Sequence, residues 1–349
     1  MFLNNIKKIT RKITPIPVIC VIKIFLNDIY NLIDKITLPF NLIKEYRRKK
    51  TWLSNHEIVE YRKKIKIYDV FNFYNELETL EIRLNVLNNY VDYFVIVEST
   101  LTHSGLPKEL FYENNKDIFK KFENKIIHLV INNSPKSFEE VKERLKNINI
   151  SEFEKEVLEY ALSSPNIKKG EANFLRDFYE KEYIKKSLIG LSDDDFCFVS
   201  DLDEIWNPKL IIDYSSNDIF KFKQDSYMYY LNNRSNDNWR DWTGTIGTKY
   251  KNIKNSCLNH LRTQNKSKYT ILRNGGWHFS FQGGLNRVIK KIESYSHQEI
   301  NNLKIKSEIK NDLLYQKDIR GRHIKFWKDE SNLPEYLLKN KDKYKELFK

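Results

Sequence analysis

The sequence predicts an α/β protein built on a doubly wound mixed sheet, and three observations predict it. Short apolar runs of strand-forming residues alternate with segments of helical periodicity. Strand, helix and strand follow one another within about 35 residues, the length of a parallel βαβ unit. The most apolar run, Phe196-Cys197-Phe198-Val199, ends in a cluster of carboxylates, as a buried strand does when its carboxyl end faces a ligand.

The first strand is read at Ile65 to Phe71, which alternates apolar and polar residues. Asn75 and Glu78 have the spacing of a capping box, and Leu77, Leu80, Leu84, Leu87 and Val91 continue at helical spacing, so a helix is expected from about 76 to 89. Tyr93 to Val97 is the second strand and ends in Glu98-Ser99-Thr100. A short helix near 114–122 and a third strand, Lys125 to Ile131, complete the first half. Residues 136–170 are charged and helical in pattern and read as an inserted arm. A helix from Glu171 to Ile189 leads to the central strand. Beyond Pro208 the pattern is mixed: strands near 219–223 and 227–231, an aromatic loop with Trp239 and Trp242, a Gly-rich turn into a strand carrying His278, and helices over 287–295 and 299–310. The domain division is 1–64 as a basic, partly apolar extension, 65–330 as one catalytic domain, and 331–349 as a docked tail.

Charge separates the extension from the body. The chain carries 60 Lys and Arg against 47 Asp and Glu, a net of +13. Residues 1–66 hold fifteen basic and five acidic residues, +10 of that total, so the body is nearly neutral. A nucleic-acid binder needs a basic face on its folded domain, so no nucleic-acid partner is expected. In the extension, Ile22, Phe25, Leu26, Ile29 and Ile33 share a helical face beside Arg47-Arg48-Lys49-Lys50, the pattern of an interfacial helix on an anionic membrane. Lys23 and Asp28 interrupt the run that a spanning helix would need. The other reading is a basic helix packed on the domain or on a partner. Location is thus membrane-associated or cytoplasmic. Three cysteines at positions 20, 197 and 257 have neither metal-site spacing nor a disulfide framework.

The chemistry centres on Asp201-Leu202-Asp203-Glu204. Clustered carboxylates repel one another, and a hard divalent cation such as Mg²⁺ or Mn²⁺ relieves that repulsion while gathering substrate phosphates. A solvated acidic turn is the plain alternative. Asp201 and Asp203 are the candidate metal ligands, and His278 is the candidate third.

These motifs resemble glycosyltransferase family 17, which contains the β-1,4-mannosyl-glycoprotein 4-β-N-acetylglucosaminyltransferases. The runs that carry the resemblance are Tyr68-Asp69-Val70-Phe71 with Asn75-Glu76-Leu77; Leu80-Glu81-Ile82-Arg83-Leu84; Val91 to Ser99; Gly105-x-Pro107; Phe174-Leu175-Arg176; Asp201-Leu202-Asp203-Glu204-Ile205; Gly276 to Ser280; and Lys291-Ile292-x-Ser294. It spans Ile67 to about Leu303 and leaves out the first 60 residues and 136–170. The family places Pro directly after Asp-x-Asp-Glu-Ile; Trp206 stands there in this chain, a departure expected to reshape the donor loop.

The resemblance implies a GT-A-like fold, a UDP-N-acetylglucosamine donor, a Mn²⁺ or Mg²⁺ cofactor and inversion at the anomeric carbon. Viral and bacterial-like members need not share the eukaryotic glycan acceptor. On this reading Asp203 ligates metal, and Asp201 contacts ribose or metal-bound water. Glu98 and Ser99 meet the uridine, the stretch Asp69 to Asn75 (with Phe71) lies beside them, and Arg176 pairs with diphosphate, a salt bridge being its alternative. The general base is expected at Asp241, with Glu204 and Glu299 as further candidates. Two other classes fit less: a phosphoryl- or nucleotidyl-transfer enzyme, which needs a basic patch on the body, and a non-catalytic carbohydrate-binding or membrane-scaffold protein with a degenerate transferase domain.

Overall fold

The computed structural model describes residues 60–164, 167, 171–236, 242–263 and 269–349. The proposed membrane-facing helix of the extension lies outside these residues. Residues 56–349 cluster as one body. Within the described residues, no helix is long and apolar enough to cross a membrane.

The chain forms a mixed α/β fold with two sheets. Strand β1 (Ile67–Phe73) leads into helix α1 (Leu77–Leu87) and strand β2 (Tyr93–Ser99). Helix α2 (Phe111–Asn115) and a 3₁₀ segment (Lys116–Lys125) precede β3 (Ile126–Ile131). Helices α3 (Phe138–Lys146), α4 (Glu152–Ser163) and α5 (Ala172–Tyr183), with a 3₁₀ turn (Ile184–Leu188), carry the chain to β4 (Phe196–Asp201). Strands β1 and β4 are buried along almost their whole length, and that is why both read as near-continuous apolar runs.

After β4 come β5 (Glu204–Trp206), β6 (Phe220–Phe222), β7 (Asp225–Met228), β8 (Asn233–Ser235) and β9 (Ile246–Lys249). Short helices α6 (Tyr250–Lys254) and α7 (Leu258–Thr263) lead to β10 (Thr270–Leu272) and β11 (Gly276–Ser280). Helices α8 (Gly284–Ser294) and α9 (Leu303–Leu314), strand β12 (Phe326–Lys328) and α10 (Glu335–Lys339) close the chain.

The larger sheet has the order β10-β6-β9-β4-β1-β2-β3, and the smaller one β12-β8-β7-β11-β5. Strands β3, β2, β1 and β4 are mutually parallel, while β9 runs antiparallel to both β4 and β6. The path steps outward from β1 to β2 and β3, then returns to β4 on the other side of β1. That reversal opens a crevice at the carboxyl ends of β1 and β4, where Asn72 is level with Asp201.

Both faces of the larger sheet are covered. Tyr68, Val70, Val95, Val97, Cys197 and Val199 pack with Val141, Val157, Leu158, Leu175 and Tyr179. Helices α3 and α4, expected as an inserted arm, thus contribute apolar side chains to the main core. On the opposite face, Asp69 and Phe71 meet Arg83 of α1. The smaller sheet has its own core, in which Met228 and Tyr229 pack with Val288, Ile292 and Ile309.

Some boundaries differ from the sequence expectation. Glu76, not Asn75, is the N-cap of α1 and makes no capping hydrogen bond from its side chain. Glu78 does not close a capping box because both its oxygens accept from Arg287, at 2.6 and 2.9 Å. The helix expected over 171–189 changes to 3₁₀ geometry after Tyr183. The helix expected over 299–310 begins at Leu303, where Asn302 caps it by accepting from Ile305 N.

Candidate functional site

The acidic turn is held from beneath by one buried arginine. Arg83 lies on the apolar stripe of α1 with Leu80, Leu84 and Leu87, and its side chain is fully buried. Its guanidinium donates to both oxygens of Asp69 (2.8 Å each) and to Ser200 Oγ (2.6 Å). It also donates to the carbonyls of Asp201 (2.9 Å), Leu202 (3.0 Å) and Glu204 (3.1 Å). Trp206 stacks on Phe198 at 3.8 Å and donates its indole N–H to Asp69 at 3.1 Å. The tryptophan that replaces the family's proline is therefore core, fastened to the same carboxylate as the arginine.

The carboxylates of the turn face different partners. Asp201 Oδ1 accepts from Arg262 of α7 at 2.8 Å and lies 3.8 Å from Lys181 of α5. Glu204 is fully buried; it accepts from Arg262 (2.9 Å), Asp201 N (3.0 Å) and the Trp242 indole (3.1 Å). Burial pushes the Glu204 carboxyl above its ordinary range, and Asp201 adds to that. Burial acts on Asp201 in the same sense, but Arg262 and Lys181 outweigh it and hold its carboxyl far below the usual carboxylate range. Gly244 is required beside this cluster, since a Cβ there would sit 1.9 Å from Glu204 Oε1.

Asp203 points elsewhere. Its Oδ2 accepts from Lys291 of α8 at 2.9 Å, and its Oδ1 lies 3.8 Å from His278 Nε2. His278 is brought there by β11, whose register sets it opposite Glu204. Gly276, at φ +128°, lets β11 approach β5 closely: a Cβ would meet the Ile205 carbonyl at 2.1 Å. The His278 ring stacks on Trp242 at 4.5 Å. Ligands of one Mg²⁺-sized ion, each at ~2.0–2.1 Å, stand ~3 Å apart when adjacent and ~4 Å apart when opposite, so Asp203 and His278, at 3.8 Å, would share an octahedral cation only after a small shift of either side chain. Among the described residues, no three His, Cys, Asp or Glu side chains converge on one metal position. Such a cation would draw its other ligands from substrate and water.

Beside Asp203 lies a cavity of about 270 Å³ between the start of α1 and the length of α8. Asn75, Glu76, Glu78, Asp203, Arg287, Lys290 and Lys291 are among its lining residues. Asn72 Oδ1, at the end of β1, is buried with no hydrogen-bond partner among the described residues.

The remaining predicted residues are placed as follows. Asp69 is buried against Arg83, and Phe71 lies under the same guanidinium at 4.4 Å. Glu98 is fully buried and accepts from Tyr112 N (3.1 Å) and His128 Nε2 (3.0 Å), which ties β2 to α2 and β3. Ser99 Oγ lies 3.1 Å from Ser134 Oγ. Arg176 donates to the His103 and Lys136 carbonyls, at 2.7 and 3.0 Å, and braces the loop at Gly105. Glu299 is paired with His297 at 2.7 Å, and among the described residues no hydrogen bond or ion pair joins it to the acidic turn. Asp241 lies outside the described residues. The structure thus brings Asp201, Asp203, Glu204, His278 and Asn75 to one end of the sheets. It adds Arg83, Lys181, Arg262 and Lys291, which sequence reasoning gave no role. For Arg83 a signal existed, a charge on the apolar stripe of a helix; for Arg262 and Lys291 the partners are too distant in sequence to pair by pattern.

Residues 15–147 match the model of glycosyltransferase family 17. The match covers less than half of the chain and agrees with the resemblance carried by its N-terminal motifs. It takes in β1 to β3 with the Tyr68 to Ser99 motifs, and it stops before the acidic turn and His278. It also includes residues 15–60 and the start of the 136–170 segment, which the motif resemblance had left out. No curated protein matches the chain.

Proposed function

We propose that the chain is an inverting, cation-assisted glycosyltransferase of GT-A type that takes N-acetylglucosamine from UDP-N-acetylglucosamine to a glycan hydroxyl. The observation that carries the reading is the Asp203–His278 pair, 3.8 Å apart at the crevice where the order of strands reverses. The family 17 match supports the transfer of sugar. The cavity supports the need for a cation: its three basic residues, Arg287, Lys290 and Lys291, are balanced by Glu76, Glu78 and Asp203. An arriving diphosphate therefore finds no net positive charge unless it brings some.

In the reaction, a base takes the proton of the acceptor hydroxyl, whose oxygen forms a bond to the anomeric carbon. The bond from that carbon to the β-phosphate oxygen breaks, and UDP leaves with the electron pair. A bound Mg²⁺ or Mn²⁺ supplies Lewis-acid stabilisation of the diphosphate. Asp203 and His278 would hold it, while Arg83 and Arg262 keep the turn and Glu204 in place. Glu204 is enclosed by Arg262, Trp242 and its own turn, so it serves this reading as a support for Asp201. The base is assigned to Asp241, beside Trp242, as in the sequence reading.

The test incubates the full chain with a panel of nucleotide sugars in Mn²⁺, Mg²⁺ or EDTA and follows free nucleotide. Metal-dependent release from UDP-N-acetylglucosamine, lost in Asp203→Ala, is the expected result. Release from another nucleotide sugar would overturn the donor alone. No release and no nucleotide binding would overturn the reading.

A further inference from the structure

Helix α8 presents Arg287, Lys290 and Lys291 to the cavity beside Asp203. Lys290 and Lys291 stand three and four residues after Arg287, so each is its neighbour one turn along the helix. Their present partners differ. Arg287 is committed to both oxygens of Glu78. Lys290 is exposed and sits over the Phe111 ring at 5.0 Å. Lys291 is largely enclosed, 2.9 Å from Asp203 and 3.6 Å from Glu76. It is thus a fixed positive charge touching the carboxylate to which a cation-bound donor would come.

We propose that Lys291 binds the diphosphate of the nucleotide-sugar donor, with Asp203 as its partner only while the site is empty. This rests on the transferase reading and adds a residue to it. With Asp203 engaged by a cation, the Lys291 ammonium would be released from Oδ2 and could reach diphosphate oxygens within the same cavity. When the bond between the anomeric carbon and the β-phosphate oxygen breaks, Lys291 faces the charge that accumulates on the departing oxygen. At about 270 Å³ the cavity is just below the ~300–1,000 Å³ usual for ligand pockets, the size for the diphosphate end of a donor rather than all of it.

The exchange of partners predicts two opposite effects of one substitution. In Lys291→Met, Mn²⁺ alone should bind Asp203 more tightly, because its competitor is gone. The nucleoside diphosphate should bind more weakly, because its counter-charge is gone. The experiment takes the full-length chain, finds which of UDP, GDP, CDP and ADP binds tightest in Mn²⁺ by calorimetry, and compares it with its monophosphate. Lys291→Met is expected to lower diphosphate affinity about ten-fold, leave monophosphate affinity within two-fold and raise affinity for Mn²⁺ measured by electron paramagnetic resonance. Lys291→Arg should restore most of the diphosphate preference. Diphosphate binding unchanged in Lys291→Met, or diphosphate and monophosphate weakened in parallel, would overturn the proposal while leaving the transferase reading in place. Failure of the wild-type chain to bind any of the four diphosphates would overturn both.

Discussion

Replacing Arg83 with Met tests how the acidic turn is held. The substitution keeps an unbranched side chain in α1 but removes the guanidinium that joins Asp69, Ser200 and three carbonyls of the turn. Asp69 is fully buried, and its remaining partner is the Trp206 indole. Removing one member of a buried ion pair costs ~3–5 kcal/mol, because the other charge is left without compensation. The freed carbonyls add to the loss, though not additively, since the turn can relax once released. The expected loss for Arg83→Met is therefore ~3–5 kcal/mol, read from urea unfolding of the full chain by circular dichroism. The double variant Asp69→Asn/Arg83→Met removes the stranded charge and should be more stable than the sum of the two single losses predicts. A loss under ~1 kcal/mol, the scale of an exposed pair, would refute the clamp, as would strict additivity in the cycle.

Three further outcomes are expected. Gly244→Ala sets a methyl group against Glu204, so it should cost ~1–3 kcal/mol in the same unfolding assay, the range for overpacking a filled interior. Burial lowers the His103 pKa, but Asp177 and Glu180 outweigh it, against Lys181, and raise it above 6.5. A raised folded-state pKa contributes stability that is complete below the unfolded value of 6.5 and is lost as pH rises through the folded one. The stability lost in His103→Gln should accordingly be larger at mildly acidic than at mildly alkaline pH; equal loss at both would count against it. His278→Asn should weaken Mn²⁺ binding ~10–100-fold by electron paramagnetic resonance, the scale on which metal sites respond to damaged ligation; unaltered binding would remove His278 from the site.

The strands were legible where burial on both sides turns a segment into a run of Phe, Val and Ile. That is why Phe196–Asp201 and Tyr93–Ser99 lie where the pattern places them. The acidic turn was legible because unneutralised carboxylates do not gather without a reason. What was hidden was the neutraliser. Asp201 meets Arg262, 61 residues away, and Asp203 meets Lys291, 88 residues away. No periodicity connects such pairs. For the same reason Glu98 and Arg176 looked like residues for a ligand, yet their contacts run to Tyr112, His128, His103 and Lys136. A polar residue at a strand end and one that fastens the neighbouring helix carry the same sequence signal. The capping box at Asn75 was displaced because Arg287, 209 residues on, binds Glu78 more strongly than a backbone amide does.

Asp201 is the last residue of a strand in one sheet, and Glu204 is the first of a strand in the other. Only Leu202 and Asp203 lie between, so the chain passes here from one sheet to the other in two residues, as it does again at Lys223 and Gln224. Loops elsewhere on the smaller sheet can lengthen or shorten without altering the count across the Leu202–Asp203 passage. One residue inserted within it would rotate Asp203 away from Lys291 and set β5 out of step with β11, taking Glu204 off the position opposite His278. Geometry thus fixes the length of the chain at this point as firmly as chemistry fixes Asp203.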